Sequence, residues 1–215
     1  MEMKKATKDD LLLVAECHAL AFPETLSAQL GPKFVAKALE CFVTDENKFL
    51  LYIPEGGVCA GYVNGILTYE NTLGSASSML QSGFNAGIVA LARKPWLLWH
   101  PELRQKLPLV WRNVVYRFTG RKRPDRNHRN AAPRSTGYRS AGLPGMCVHP
   151  DHRRKGYATK LMLAAEKYAY EHGFRHMHCT VATTNTATTD CNTKLGYKVT
   201  QTREHSVTME KDLTY

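Results

Sequence analysis

The sequence predicts a fold of the α/β (α+β) class, in which a central sheet is flanked by helices. Segments with helical hydrophobic spacing alternate with strand-like segments along both halves of the chain. The chain has 215 residues, of which 43% are hydrophobic and 22% charged, so it is long and apolar enough for one well-buried core. At Val148–Thr159 a strand-like run leads through a basic, glycine-containing loop into a helical run. We therefore expect one domain over residues 1–215, with an insertion at about residues 71–137.

The first half of the chain predicts a short strand, two helices and a β-hairpin. Thr7 and Asp10 have the spacing of a capping box, and Gly31 followed by Pro32 is typical of a helix start. Turn residues at 54–57 separate two strand-like runs. The predicted elements are a strand at Met3–Ala6, helices at Leu11–Ala21 and Pro32–Val43, and strands at Lys48–Ile53 and Val58–Tyr69.

The second half predicts a strand, a helix, a strand, a short helix and a hairpin. Its first strand, Tyr138–Val148, contains Gly142, Pro144 and Gly145 and should therefore be irregular. The other elements are a helix at Lys155–His172, a strand at Arg175–Ala182, a short helix at Ala187–Leu195, and hairpin strands at Tyr197–Arg203 and His205–Leu213.

The segment between the halves predicts a helical and basic insertion. Helical spacing at 75–91 and, interrupted by prolines, at 96–118 predicts two or three helices, and residues 119–137 predict a loop. Arg93–Arg139 holds thirteen Lys or Arg against two acidic residues, a net +11 in a chain of net charge +10. The basicity therefore belongs to this segment. For Trp96, Trp99 and Trp111 we expect a small satellite core, the alternative being an aromatic, basic wall for a substrate or partner.

The basic loop before the predicted helix has the chemistry of an anion site. The first N–H groups of a helix have no partner within the helix and carry roughly half a positive charge, so they attract anions. Gly156 would let the backbone approach a ligand closely, and Ala158 would keep the first turn thin. By itself this pattern also fits a solvated, positively charged turn.

Two segments together resemble the paired motifs of the GNAT acetyltransferase superfamily. Arg153, Gly156 and Ala158 match the first motif, (Q/R)xxGx(G/A), after a strand that ends in V-x-P. The second motif begins with an Asn and closes with (K/R)xG(F/Y), and it is matched by Asn185, Lys194, Gly196 and Tyr197. The resemblance implies a mixed, mostly antiparallel sheet that is splayed at its cofactor-binding strands. It also implies an N-acetyltransferase with acetyl-CoA as co-substrate.

The resemblance also implies which residues bind acetyl-CoA. Backbone groups of Met146 and Val148 would bind the pantetheine arm, and Asn185 would cap or contact the far end of its tunnel. The loop and first helical turn would hold the pyrophosphate through backbone amides and basic side chains. These residues are Arg153, Arg154, Lys155, Gly156, Tyr157, Ala158 and Thr159.

The catalytic groups depart from the family pattern. The position of the family's thiolate-protonating tyrosine is Asn192, whose amide can donate a hydrogen bond to sulfur but is not a general acid. The fourth-strand positions that often supply a base hold no residue able to take a proton. Glu70, His178 and His149 remain as candidates, and a water chain is the alternative.

The sequence thus predicts an enzyme that moves the acetyl group of acetyl-CoA to a primary amine of a small acceptor. The basic insertion favours an anionic acceptor, such as a nucleotide-linked amino sugar. The alternatives are a nucleic-acid or ribosome-associated module and a catalytically weak acyl-CoA sensor.

Partners and location follow from the same features. Six cysteines without CxxC spacing predict neither disulfides nor a metal site. The absence of a long apolar run or a signal-like N-terminus predicts a cytoplasmic protein without membrane insertion. We expect a monomer or a homodimer.

Overall fold

A computed structural model describes residues 3–68, 75–104 and 139–214. Seven strands form one sheet in the order β1-β2-β3-β4-β5-β7-β6. Every neighbouring pair is antiparallel except β4 and β5, which are parallel. The mixed, mostly antiparallel sheet predicted from the sequence is therefore confirmed. The strands are β1 (Lys4–Lys5), β2 (Lys48–Glu55), β3 (Val58–Thr68), β4 (Ser140–Val148), β5 (His176–Ala182), β6 (Lys198–Thr202) and β7 (Ser206–Asp212).

Helices cover both faces of this sheet. One face packs mainly on the helix that follows β4, and the other on helices from the first half of the chain. The helices are α1 (Leu11–Ala21), α2 (Leu26–Leu30), α3 (Pro32–Leu39), α4 (Cys41–Thr44), α5 (Ser75–Arg93), α6 (Tyr157–Glu171) and α7 (Thr186–Lys194), with 3-10 turns at Pro95–Trp99 and Pro150–His152.

The structure corrects two helix boundaries. The helix predicted to run from Pro32 to Val43 ends at Leu39, and a separate turn follows. The helix predicted to begin at Lys155 begins at Tyr157, because Arg154 (φ 64°) and Gly156 (φ 78°) are left-handed and cannot belong to a helix.

Helix α2 was not predicted. Its five residues are too few to show helical periodicity, and the structure stabilises it with a cap in which the Thr25 hydroxyl accepts from the Ala28 amide.

Only part of the predicted insertion lies within the described residues. The helix expected at 75–91 is present as α5, which packs on α3. A small cluster of Leu26, Leu97 and Leu103 lies beside it, while Trp96 and Trp99 are 64% and 79% exposed. The satellite core therefore exists, but these two tryptophans do not build it. Trp111 and residues 105–138 fall outside the described residues, so the one-domain arrangement with an insertion stays a prediction.

The main core lies between the sheet and α6. Leu161, Ala165 and Ala169 of α6 are fully buried, as the helical spacing predicted, and they pack with β2, β3 and β5 side chains. On β5, Met177, Cys179 and Val181 share this buried face, also as predicted. The position of α6 therefore fixes the loop that precedes it relative to the sheet.

We expect Leu161→Ala to lower the free energy of unfolding by about 2–5 kcal/mol, because it leaves a cavity in this core. Leu163→Ala is the matched control: Leu163 lies on the same helix and is 43% exposed, so its loss should be well below 1 kcal/mol. Urea titrations followed by circular dichroism measure both. Equal losses would contradict the packing described for α6.

Candidate active site

The sheet opens between its two parallel strands. β4 pairs with β5 only from Ser140 to Leu143, opposite His176 to Cys179, and the pairing ends one residue before Pro144. Proline has no N–H to donate, which is consistent with the end of the ladder at this point. The splay predicted for the cofactor-binding strands is therefore present.

A bulge in β4 accompanies the opening. Asn64 of β3 faces Gly145 and Ile66 faces Gly142, so two β4 residues lie opposite Gly65. A Cβ at Gly65 would lie 2.1 Å from the Phe49 ring, so only glycine fits there. The irregularity that the sequence predicted for this strand is confirmed.

The hydrogen-bond pattern orients the far half of β4. The amide of His149 donates to the carbonyl of Ala60 at 2.9 Å, which marks this as a hydrogen-bonded pair of the β3–β4 ladder. Because such pairs alternate, Met146 and Val148 direct their N–H and C=O groups away from β3, toward the side where β5 has separated. This is the orientation that the predicted pantetheine contacts require.

The loop after β4 presents the start of α6 to solvent. Gly156 is its N-cap, and a Cβ there would have nothing within 4 Å. Arg153, Arg154, Lys155 and Gly156 are all exposed. The first amides of a 15-residue helix thus lie next to three cations, which suits a diphosphate.

Two side chains of this loop are already engaged elsewhere. The Arg153 guanidinium donates to the carbonyls of Val148 (3.5 Å) and Ala21 (3.2 Å), so it ties the loop to the end of α1. The Tyr157 side chain is buried, and its hydroxyl donates to Glu55 at 2.7 Å. This carboxylate raises the pKa of Tyr157. Tyr157 thus offers a ligand only its backbone amide.

A cavity of about 310 Å³ lies at the splay. Its walls come from both sides of the sheet opening: from α1 and the residues between α1 and α2, from β3 and β4, from β5 and α7, and from Met162 of α6. The lining includes His18, Tyr62, Met146, Thr180, Asn185 and Asn192.

Two of the predicted asparagines meet in this lining. Asn185 caps α7, its Oδ1 accepting from the Thr188 amide at 3.2 Å. Asn192 is 1% exposed, and its Nδ2 donates to the sulfurs of Cys179 (3.3 Å) and Met209 (4.0 Å). Its Oδ1 is buried without a hydrogen-bond partner. The hydrogen bond from Asn192 to a thiolate stays a prediction. To form it, Nδ2 must give up its contacts with Cys179 and Met209 or donate to the thiolate as well as to them.

Neither of the two candidate bases within the described residues lines the cavity. His178 lies over Gly142, and its Nδ1 is 2.9 Å from the Ser140 hydroxyl; it is not among the residues that line the cavity. The His149 Nδ1 accepts from the Asp151 amide at 3.2 Å, within the turn after β4. Glu70 lies outside the described residues. The roles of these three as base stay predictions.

The sequence analysis missed the polar group on the α1 side of the cavity. His18 lies 2.7 Å from the Tyr62 hydroxyl through Nδ1 and 3.0 Å from the Ser27 hydroxyl through Nε2. Burial lowers the pKa of His18, partly opposed by Cys17. Tyr62 is 3% exposed, and burial raises its pKa well above the usual value. A histidine within the largely apolar helical run of α1 was the signal available in the sequence.

Beneath this group three buried cysteines meet. The Sγ atoms of Cys17 and Cys147 are 3.7 Å apart. Hydrogen bonds with Cys147 and Cys59 lower the pKa of Cys17, whereas burial raises that of Cys147. The contact packs α1 directly on β4.

Comparison with known families finds a match to the second half of the chain. Residues 120–197 match the model of the acetyltransferase (GNAT) family, and this range includes both predicted motifs. The splayed sheet and the loop before α6 supply the matching architecture. This segment of the chain is similar to the GNAT family.

Solved structures share this GNAT fold over nearly the whole chain. A GNAT-family acetyltransferase from Desulfovibrio desulfuricans has a TM-score of 0.58 at 11% identity, covering 99% of each chain. The PaiA N-acetyltransferase from Thermoplasma acidophilum, in complex with coenzyme A, has a TM-score of 0.56 at 12% identity, covering 98% of each. An aminoglycoside 6'-acetyltransferase type Ii has a TM-score of 0.58 at 12% identity, covering 100% of this chain and 99% of its own. At these identities the likeness shows the fold alone.

A search of curated proteins gave no significant match. Within the described ranges, no group of three or more His, Cys, Asp or Glu is arranged to hold a metal ion. Nor does any helix in this part of the chain have the length and apolar character that a membrane crossing needs.

We expect Asn192→Ala to lower turnover by about tenfold or less, because at most one hydrogen bond to the departing thiolate is lost. Asn192→Tyr should be tolerated if the cavity retains room for the tyrosine that the family has there. Release of free thiol from acetyl-CoA measures both variants. A loss of a thousandfold in a folded Asn192→Ala protein would show that this amide has a larger role than one hydrogen bond.

Proposed function

We propose that this protein transfers the acetyl group of acetyl-CoA to a primary amine of a small acceptor. The observation that carries the proposal is the wedge between β4 and β5, where backbone groups of one strand face a cavity beside the start of α6. An extended amide-containing chain fits such a wedge as an additional strand, and its diphosphate end fits the helix start.

The residues present fit coenzyme A. Met146 and Val148 supply backbone groups on the open side of β4, and the amides at 157–159 with Arg154 and Lys155 supply the anion site. The open space at Gly156 admits a ligand against the backbone. The unpaired Oδ1 of Asn192 is an acceptor for an N–H group inside the cavity. When bound, the thioester supplies the activated acyl group.

The acceptor would approach from the side of α1 and α2. His18, Phe22 and Thr25 line the cavity opposite α7, so a second molecule meets the wedge there. The amine must be uncharged to attack, and a proton must leave its nitrogen during transfer. The sequence of this wall therefore determines both which amine binds and how its proton is removed.

An anionic acceptor, such as a nucleotide-linked amino sugar, is the class we favour. The net charge of +11 in Arg93–Arg139 is the supporting observation, because cationic segments raise the local concentration of anions. The same charge also supports the second candidate, an RNA- or ribosome-associated acetyltransferase. An acyl-CoA sensor without transfer activity would bind acetyl-CoA and acetylate none of the amines offered.

We expect Gly156→Asp to abolish acetyl-CoA binding, because it places a side chain and a negative charge where the diphosphate would lie. Gly57→Asp is the matched control, since Gly57 also has a positive φ and open space around its Cβ but lies in the β2–β3 turn. Calorimetry measures the affinity of each folded variant. Unchanged affinity in Gly156→Asp would falsify the cofactor assignment.

Replacement of Arg121, Lys122 and Arg123 with serine tests whether the basic segment binds the acceptor. An anionic acceptor predicts a higher acceptor KM with weaker salt dependence and unchanged acetyl-CoA affinity. A thiol-release panel identifies the acceptor: ethanolamine, a polyamine, and an amino sugar with and without a phosphate group. If the variant keeps its kinetics and loses only retention on RNA, the nucleic-acid candidate is supported. If it behaves normally in both assays, the segment has no role in recognition.

A further inference from the structure

The hydrogen bonds around His18 determine which of its nitrogens carries the proton. The Thr25 hydroxyl donates to the carbonyl of Phe22 at 2.8 Å. A hydroxyl has one proton, so in the 3.1 Å contact between Thr25 and Ser27 the donor must be Ser27. With its own proton used in this way, Ser27 can only accept from His18 at 3.0 Å. Nε2 of His18 therefore carries a hydrogen.

The other nitrogen of neutral His18 is consequently a bare lone pair. Burial keeps His18 neutral at pH 7 by lowering its pKa, so one proton is shared between its two nitrogens, and Nε2 has it. Nδ1 must then accept the 2.7 Å hydrogen bond from the Tyr62 hydroxyl. Tyr62 thus points its proton at His18, and its oxygen is left as an acceptor that faces the Cys147 thiol on one side and the cavity on the other. Both residues line the cavity at the splay.

We propose that Tyr62 and His18 form the proton acceptor for the amine, with Tyr62 as the catalytic residue and His18 as the residue that acts through it. The inference rests on the proposed acetyl transfer. Ser27 and Thr25 act as positioning residues, because their ordered hydroxyls hold His18 in the tautomer that can receive a proton.

The proton transfer balances without any further reagent. The amine nitrogen forms a bond to the thioester carbonyl carbon, and the carbon–sulfur bond breaks with its electron pair leaving on sulfur. One N–H proton passes to the Tyr62 oxygen while the Tyr62 proton passes to Nδ1 of His18. The products are the amide, the thiolate and a protonated His18, which returns its proton through Tyr62 to the thiolate or to solvent. Tyr62 is never an anion, consistent with its raised pKa.

The ionisable neighbours of this relay are few among the described residues. Cys17 is adjacent on α1, Cys59 lies on β3, and Cys147, which hydrogen-bonds with the Tyr62 side chain, lies on β4. His149 interacts with Cys17 through charge. Any negative charge on Cys17 would raise the pKa of His18, against the effect of burial. Substitution of His18 is therefore the direct way to remove its protonation from the pH dependence of the rate.

Kinetics against pH test the relay with the fastest amine of the panel. Below the amine's own pKa, log kcat/KM should fall with a slope of about one as the amine is protonated. Below the pKa of His18, which burial lowers from the ordinary imidazole value, the slope should increase to about two, because the base is then protonated as well. His18→Gln should lose about a hundredfold or more in kcat and keep the slope of one at all acidic pH values.

The variants separate catalysis from packing. Tyr62→Phe should also lose about a hundredfold in kcat, and the double variant should lose no more than the worse single variant, since the two residues act as a unit. Tyr52→Phe is the control for loss of a tyrosine hydroxyl. Tyr52 lies on β2, its hydroxyl donates to Asp10 at the start of α1, and it does not line the cavity. His205→Gln is the control for loss of an exposed histidine. Acetyl-CoA affinity should be unchanged in all four single variants.

A measurement without any acceptor completes the test. Nitrogen-15 NMR of the imidazoles should show His18 as the Nε2–H tautomer, with a pKa that burial lowers from the ordinary imidazole value. An Nδ1–H tautomer, a slope of two retained in His18→Gln, or a Tyr62→Phe enzyme within about threefold of wild type would each overturn the relay. If His18→Gln does not fold, Tyr62→Phe and the NMR result decide. Turnover of no amine in the panel contradicts the proposed function instead.

Discussion

The interrupted ladder between β4 and β5 is the constraint on which the site depends. Four residues of each strand pair in parallel, and beyond Leu143 and Cys179 the strands separate. On its other edge β4 remains paired with β3 up to Val148, so it is held in place while one edge is free. A strand with one bonded and one free edge exposes ordered backbone donors and acceptors inside the protein. The cavity, the orientation of Met146 and Val148, and the position of the loop before α6 all follow.

Helices α7 and α1, which line opposite sides of the opening between β4 and β5, are held by different contacts. α7 is capped by Asn185 and packs Asn192 against buried sulfurs. α1 is held by the thiol contact between Cys17 and Cys147 and by the Arg153 hydrogen bond to Ala21. Helix α1 is therefore joined both to β4 and to the loop before α6. A displacement of α1 would move His18 and that loop together.

The sequence predicted features whose causes are local. The α1 periodicity, the β2–β3 turn, the alternation along β5 and the two motifs each depend on residues within one element or one connection. The irregularity of β4 was likewise visible in Gly142, Pro144 and Gly145.

Features that depend on tertiary contacts were not predictable in the same way. α2 is one short turn held by a cap, and the start of α6 depends on the backbone conformation of Arg154. His18 pairs with Tyr62 across 44 positions of sequence, and nothing in the helical pattern of α1 indicates that partner. The Arg153 side chain shows the same limit: its phosphate contact stays a prediction, and the sequence did not indicate that its guanidinium donates to the carbonyls of Val148 and Ala21. Without side-chain geometry, the sequence could propose candidates for the base but could not choose among them.

Pro144 has a consequence for the timing of ligand entry. Because it has no N–H, the segment where the strands part lacks one of the donors that a continued ladder would require. The gap is thus encoded in the chain and does not have to be opened by a ligand. The cost of leaving that edge of β4 unpaired is part of the free energy of folding. A ligand that binds along this edge would therefore not need to break strand pairs first.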